Sequence, residues 1–379
     1  MSPRVLVDAT AVPADRGALG RYVDGLVAAL GGARDGGEID LAIVCQRSEK
    51  ERYTRLAPGA HVVAGPAAIT HRQSRLAWEQ STLPHVAAQV GADVLHVPYP
   101  SMPDRPGVPT VVTVHDLGFF TDPDLHDEER ASYLRSATRR AVRRAARMIV
   151  PSQATRDDLV EVLDAVPSRI DVAYHGVDPA VFHPPEPAEA AALRSRLGLH
   201  GEPYVAYLGA LQPRKNVAAL VEGWAMAAAE QAEPSTLVLA GGRTLAAEVD
   251  KAVAAVPAQL RVVRPGYLAP ADLPAYLGGA LVVAIPSRGE GFGLPVLEAM
   301  SCGAPVLTTR RTSLPEVGGD AVDYTEPEAD GIAEGLRRLF GDPERRRRLA
   351  EAGRARAAQF TWEASAEAHV ASYRRALES

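Results

Sequence analysis

Short apolar runs alternate with longer stretches of helical periodicity along nearly the whole chain, which predicts parallel α/β architecture. In the first half, Val5–Asp8, Leu41–Cys45, Val94–Val97, Thr110–Val114, Met148–Val150 and Asp171–Ala173 read as strands. Their apolarity is continuous rather than alternating, as strands covered on both faces require. Helical patterns lie between them at Arg21–Leu30, Arg72–Val90, Glu128–Ala146 and Gln153–Leu163. From Val177 to Pro187 the rhythm stops and prolines crowd together. Each proline biases the residue before it toward extended backbone, so this stretch reads as a linker. The second half resumes with strands at Tyr204–Leu208, Thr236–Ala240, Leu260–Val263, Leu281–Ile285 and Pro305–Thr308. Its helical patterns are Asn216–Gln231, Leu245–Val256, Asp272–Leu277, Leu294–Cys302, Asp330–Leu339, Pro343–Gln359 and Trp362–Leu377.

Two similar halves predict two Rossmann-like, doubly wound domains, residues 1–180 and 181–361. A length of 379 residues suits two domains better than one. Ligands of such sheets bind beyond the carboxyl ends of the strands, and candidate chemistry is sought there. The net charge of −6 disfavours a nucleic-acid partner. The two cysteines, Cys45 and Cys302, form no metal-binding spacing and imply no disulfide framework, which fits a cytoplasmic protein. No signal-peptide pattern opens the chain, and no apolar run approaches a membrane span.

The most informative segment is Pro286-Ser-Arg-Gly-Glu-Gly-Phe-Gly-Leu-Pro-Val-Leu-Glu298. A strand feeds a loop containing Gly289, Gly291 and Gly293, and Pro295 suits the first turn of the helix that follows. Backbone N–H groups at such a helix start can face an anion. Glu290 and Glu298 supply carboxylates suited to sugar and ribose hydroxyls. A second constellation, Gly209-Ala-Leu-Gln-Pro-Arg-Lys-Asn216, follows the first strand of the second half. Arg214 offers a two-pronged donor and Lys215 a point charge, a suitable pair for a diphosphate. A third, Val111-Val-Thr-Val-His-Asp116, leaves His115 and Asp116 at a strand's carboxyl end. A fourth, Arg16-Gly-Ala-Leu-Gly-Arg-Tyr22, follows the first strand.

Together these segments resemble the retaining GT-B enzymes of glycosyltransferase family 4, including bacterial mannosyl- and rhamnosyltransferases. The resemblance rests first on Glu290 and Glu298 flanking Gly-Phe-Gly-Leu-Pro, then on Pro-Arg-Lys-Asn. It extends to Trp78-Glu-Gln80, Asp93-Val-Leu-His-Val-Pro98, His175-Gly-Val-Asp178 and Ser313-Leu-Pro-Glu316. It implies two domains facing across a cleft, with helix 362–379 packing back on the first, acceptor-side domain. The second domain would hold a nucleotide-sugar donor. Arg214 and Lys215 would meet the diphosphate, Glu298 the ribose, Glu290 the sugar, and the backbone near Gly266-Tyr267-Leu268 the base. Gly20, Gly209, Gly291, Phe292, Gly293 and Leu294 would complete the donor site, and His115 would lie beside the sugar. Arg21, Trp78, Tyr99 and Asp116 are acceptor candidates. For Asp116, capping the following segment competes with that role.

Where many family members carry Arg directly after the glycine, this chain has Ala210, so either Arg214 carries more of the diphosphate's charge or a residue elsewhere contributes. No metal and no cofactor is implied. GDP-mannose leads as donor, with UDP-glucose and dTDP-deoxysugars open. The acceptor could be a free sugar, a lipid-linked saccharide or a natural-product aglycone. A catalytically silent sugar-nucleotide-binding protein is the alternative from another class. Arg135, Arg139, Arg143 and Arg147 form a basic helix stripe, with Arg140 and Arg144 beside it, that either faces solvent or touches the inner membrane surface. Asp122-Pro-Asp124 has metal-like spacing but sits in a proline-containing loop and reads as a turn.

Overall fold

A computed structural model describes residues 2–13, 16–199, 201–242 and 247–378. The chain divides into two compact units. One comprises Met1–Gly176 with Phe360–Ser379, and the other Val177–Gln359. The first unit has seven strands: β1 Arg4–Asp8, β2 Asp40–Cys45, β3 His61–Ala64, β4 Val94–Val97, β5 Thr110–Thr113, β6 Arg147–Val150 and β7 Ile170–Val172. They form one parallel sheet in the order β3-β2-β1-β4-β5-β6-β7. Val5 lies opposite Leu41 on one side and Val94 on the other. Successive side chains leave opposite faces of a strand. Val5 and Val7 accordingly enter the core beneath helices Gly17–Asp35 and Trp362–Leu377, while Leu6 enters the one containing Trp78, Leu83 and Leu95. Burying both faces is why the runs read as continuously apolar. Each fully buried aliphatic side chain contributes about 1.5–3 kcal/mol.

The second unit carries β8 Tyr204–Leu208, β9 Thr236–Ala240, β10 Val262–Gly266, β11 Val282–Ile285, β12 Val306–Thr309 and β13 Asp323–Thr325. These are also parallel, in the order β10-β9-β8-β11-β12-β13. That is the nucleotide-binding Rossmann order, and the direction of winding reverses between β8 and β11.

Several elements differ from the sequence reading. β3 and β13 were not expected; both are short edge strands with too few apolar residues to stand out. The expected helix over 72–90 is two helices, Arg72–Ser81 and Leu83–Gln89. Pro84 explains the break, since it has no N–H to continue the first helix and suits the opening turn of the second. The linker ends in a helix of its own, Pro187–Arg196, whose start carries a reciprocal Glu186/Glu189 capping box. Gly20 belongs to no loop. It lies inside helix Gly17–Asp35, and a Cβ there would stand 2.6 Å from the Arg16 Cβ. Leu245 and Ala246 of an expected helix lie outside the described residues; the helix there runs Ala247–Ala254.

The arginine stripe stops short of Arg147, which opens β6 after the helix ends at Arg144 and lies buried against Asp171, and the rest is largely engaged within its own unit. Arg135 bonds Glu128 and the Phe119 carbonyl, Arg140 and Arg144 pair with Asp104, and Arg139 lies over the Phe120 ring. Among the described residues no helix is long and apolar enough to cross a membrane.

Candidate functional site

In the second unit the winding reverses between β8 and β11, whose carboxyl ends lead into loops 209–216 and 286–293. The two loops meet through Glu290. Lys215 Nζ lies 2.5 and 2.7 Å from its two carboxylate oxygens, and Arg214 Nη1 lies 3.3 Å from Oε2. The Ser287 hydroxyl donates to Oε1 at 2.7 Å. Glu290 is only 8% exposed. Burial alone would raise its pKa, but the Lys215 and Arg214 charges and their hydrogen bonds bring it down to about 2. Glu290 is therefore a carboxylate at any physiological pH.

The rest of the loop is held by hydroxyls. Thr312 Oγ1 accepts from the Glu290 N–H at 2.9 Å and donates to the Glu290 carbonyl at 2.8 Å. Ser313 Oγ lies within hydrogen-bond distance of the Glu290 and Phe292 carbonyls. Asn216, in the left-handed region at φ 59°, donates to the Pro286 and Pro327 carbonyls. Gly293 ends the loop at φ 104°, a conformation suited to glycine, and opens helix Leu294–Ser301. Glu298 lies in that helix and is 2% exposed. Phe292 and Leu294 bury their side chains in the interior.

Neighbouring strands end on glycines. Gly209 follows β8 and Gly241 follows β9, and a Cβ on Gly241 would lie 1.9 Å from the Gly209 carbonyl oxygen. Only glycine lets the two backbones approach so closely. Tyr267, just beyond β10, is 59% exposed, with Leu268 half-buried beside it. A cavity of about 910 Å³ in the same unit lies near Pro203, Leu281 and Pro305, which precede β8, β11 and β12 at the opposite edge of the sheet.

In the first unit His115 follows β5, with Nε2 3.0 Å from the Pro98 carbonyl. Its ring meets Tyr22 edge-on at 4.9 Å and His175 at 5.9 Å. Burial lowers its pKa, so it is neutral at pH 7. Beneath it runs a network absent from the sequence reading. Tyr22 Oη contacts Thr113 Oγ1 and His369 Nε2, each at 2.9 Å. His96 contacts Thr113 Oγ1 at 2.9 Å and Tyr373 Oη at 2.8 Å.

The winding reversal of this sheet, between β1 and β4, carries a second unforeseen cluster. Asp8 Oδ1 accepts from the Thr10 N–H at 2.9 Å, and Ser101 donates to Glu79 at 2.8 Å, with Arg75 3.4 Å from Glu79. Burial pushes the Glu79 carboxyl up to about 7. The available signal was the position of Asp8 at the end of the first strand. Trp78 is packed in the core at 8% exposure, whereas Tyr99 is half-buried. Asp116 accepts from the Gly118 N–H at 3.2 Å, a local turn contact. Arg21 lies in the second turn of helix Gly17–Asp35 and is half-buried. Asp122 and Asp124 lie at a short 3₁₀ turn, and among the described residues no group of three or more His, Cys, Asp or Glu could hold a metal ion.

Comparison with known proteins places this geometry in context. The family model of group 1 glycosyl transferases matches residues 190–356, and that of glycosyltransferase family 4 matches residues 19–181. A D-inositol 3-phosphate glycosyltransferase of Frankia alni is 32% identical over 399 residues, covering 96% of this chain and 95% of the relative. An O-antigen chain mannosyltransferase B of Escherichia coli is 31% identical over 255 residues, 67% of each chain. Among solved structures, sucrose-phosphate synthase from Thermosynechococcus elongatus superposes with a TM-score of 0.76 at 23% identity, over 99% of this chain and 98% of that one. Anabaena HepE in complex with UDP-glucose gives 0.75 at 20% identity, over 97% and 98%. These likenesses show the GT-B fold.

Proposed function

Because the chain belongs to the group 1 glycosyltransferases of the family 4 type, we propose that it moves a hexose from a nucleoside diphosphate sugar to an acceptor hydroxyl, with retention and without a metal ion. The observation that carries this reading is the Lys215–Glu290–Arg214 cluster where the second sheet reverses its winding. Charge develops on the diphosphate as the glycosidic bond breaks, and fixed cations beside it stabilise that charge. Arg214 and Lys215 take this role. Glu290, ionised and held by the same cations, accepts hydrogen bonds from sugar hydroxyls. Glu298 takes the ribose, the exposed Tyr267 ring covers the base, and backbone N–H groups around Gly209, Gly291 and Gly293 contact the phosphates. Neutral His115 can exchange a hydrogen bond with a sugar hydroxyl. The acceptor side is assigned to Arg21, Tyr99 and Asp116 of the first unit, with Trp78 as support from the core.

GDP-mannose is the favoured donor, supported by the Pro-Arg-Lys-Asn motif and by the relative named as a mannosyltransferase. The test incubates the protein with GDP-mannose, UDP-glucose and a dTDP-deoxysugar in turn, with and without EDTA. Release of the nucleoside diphosphate is followed, and the anomeric configuration of the product is read by NMR. Release from GDP-mannose, an unchanged rate in EDTA and a retained configuration are expected. Activity abolished by EDTA and restored by magnesium or manganese overturns metal independence, and an inverted product overturns retention.

A further inference from the structure

We propose that Arg288 is a third cation for the donor's diphosphate, an inference that rests on the donor site assigned above. Each phosphate of a nucleoside diphosphate sugar carries a negative charge, and bond cleavage adds another. Arg214 and Lys215 are both committed to Glu290, whose carboxylate cancels one of them. Alone, the pair leaves most of the leaving group's charge unmatched.

Arg288 lies two residues before Glu290, in the loop that follows β11. Its backbone N–H donates to the Arg214 carbonyl at 2.9 Å, so the loop carrying Arg288 is fastened to the loop carrying Arg214. Its Nε donates to Asn216 Oδ1 at 3.2 Å. Asn216 is itself anchored through Nδ2 to the Pro286 and Pro327 carbonyls. One edge of the guanidinium is therefore held, while among the described residues no hydrogen bond or ion pair engages either terminal Nη group, and the residue is exposed. An arginine head presents its donors in a rigid planar fork that matches phosphate oxygens two at a time. Fixing Nε on Asn216, the residue that follows Arg214 and Lys215 in the same loop, pre-orients that fork, and no carboxylate among the described residues competes for it.

The competing account is that Arg288 only braces Asn216. Arg288→Gln separates the two, because glutamine keeps a polar N–H but loses the charge. Calorimetry is done with GDP, UDP and dTDP on the wild type, Arg288→Gln, Arg288→Lys and Lys215→Ala. For the nucleotide that binds the wild type, Arg288→Gln should weaken affinity about five- to tenfold at low ionic strength, the modest size expected of an exposed charge. The loss should shrink in about 0.5 M salt, where screening is short-ranged. Binding of the uncharged nucleoside and the melting temperature should not change, and Arg288→Lys should recover part of the loss. Adding Ala210→Arg to Arg288→Gln, which returns a cation to the loop of Arg214, should also restore affinity.

Unchanged diphosphate affinity in Arg288→Gln, with a clear loss in Lys215→Ala, overturns the inference and leaves the donor site standing. Equal losses for nucleoside and diphosphate with a lowered melting temperature make Arg288 a brace and also overturn it. No nucleotide binding to the wild type overturns the donor reading and this inference together.

Discussion

Glu290 is held by two cations and a hydroxyl inside a nearly closed loop, so each substitution there has a distinct readout. Glu290→Gln removes the charge that occupies Lys215 and Arg214. Turnover should fall at least tenfold, because contacts to a sugar gaining positive character matter most in the transition state. Affinity for the bare nucleoside diphosphate should hold or improve, since the cations are released; a loss of that affinity would reverse the assignment. Glu298→Gln should do the opposite, raising the donor KM and weakening nucleotide binding in calorimetry. Acid has its own effect. The Glu290 pKa is depressed to about 2, so its stabilising contribution is present above the ordinary carboxyl range near 4.5 and is lost as pH falls toward 2. The two loops at this scale were legible, because each is a contiguous motif that follows a readable strand. The hydroxyl braces Ser287, Thr312 and Ser313 were not. Nothing about a serine or threonine in sequence says which carbonyl or carboxylate it will meet.

At the scale of elements, the strands meet at points where one atom decides the geometry. Gly241 sits at φ 140° with the Gly209 carbonyl where a side chain would go. Gly241→Ala must push the β8–β9 ends apart, costing about 2 kcal/mol or more, with a matching fall in the urea midpoint and in nucleotide affinity. In the first unit, helix Trp362–Leu377 docks on helix Gly17–Asp35 through His369 and Trp362 and on β4 through Tyr373. Burial lowers the pKa values of His96, His115, His175 and His369, the last to about 4. Unfolded histidines take up protons below about 6.5 while these stay neutral, so folding stability should be full above that pH and decline as pH falls toward 4. Glu79, raised by burial to about 7, pulls the other way between about 4.5 and 7, and Asp8, also raised by burial, acts in the same sense. Four groups outweigh two, so the urea midpoint should drop between pH 7 and pH 5. A midpoint that rises instead would show the carboxyls dominate. The central strands and long helices were readable from periodicity. The edge strands β3 and β13 and the break at Thr82 were not, because edge strands need little apolar surface and Pro84 fits a continuing amphipathic pattern.

At the scale of the whole molecule, the chain leaves the first unit after Gly176 and returns to it at Phe360, so its last helix completes a core begun far away in sequence. Trp362 packs so closely on helix Gly17–Asp35 that a Cβ on Gly25 would lie 2.1 Å from its ring. Trp362→Ala should cost about 3–5 kcal/mol, and deleting residues 360–379 should leave the first unit unable to bury its apolar face. Hydrogen exchange would then show lost protection in β1, β4 and β5 with that of β8, β9 and β11 retained; uniform loss would mean that the units unfold together. The sequence by itself determined the two parallel α/β halves and the glycosyltransferase family. Each of these is written in local periodicity or in contiguous motifs, where neighbours in sequence are neighbours in space. Tertiary structure alone decided that Glu290 binds the very cations expected for the diphosphate, that Trp78 belongs to the core, and that four histidines share one dry network. Those facts depend on loops and helices up to hundreds of residues apart meeting at one place, and on the burial that follows.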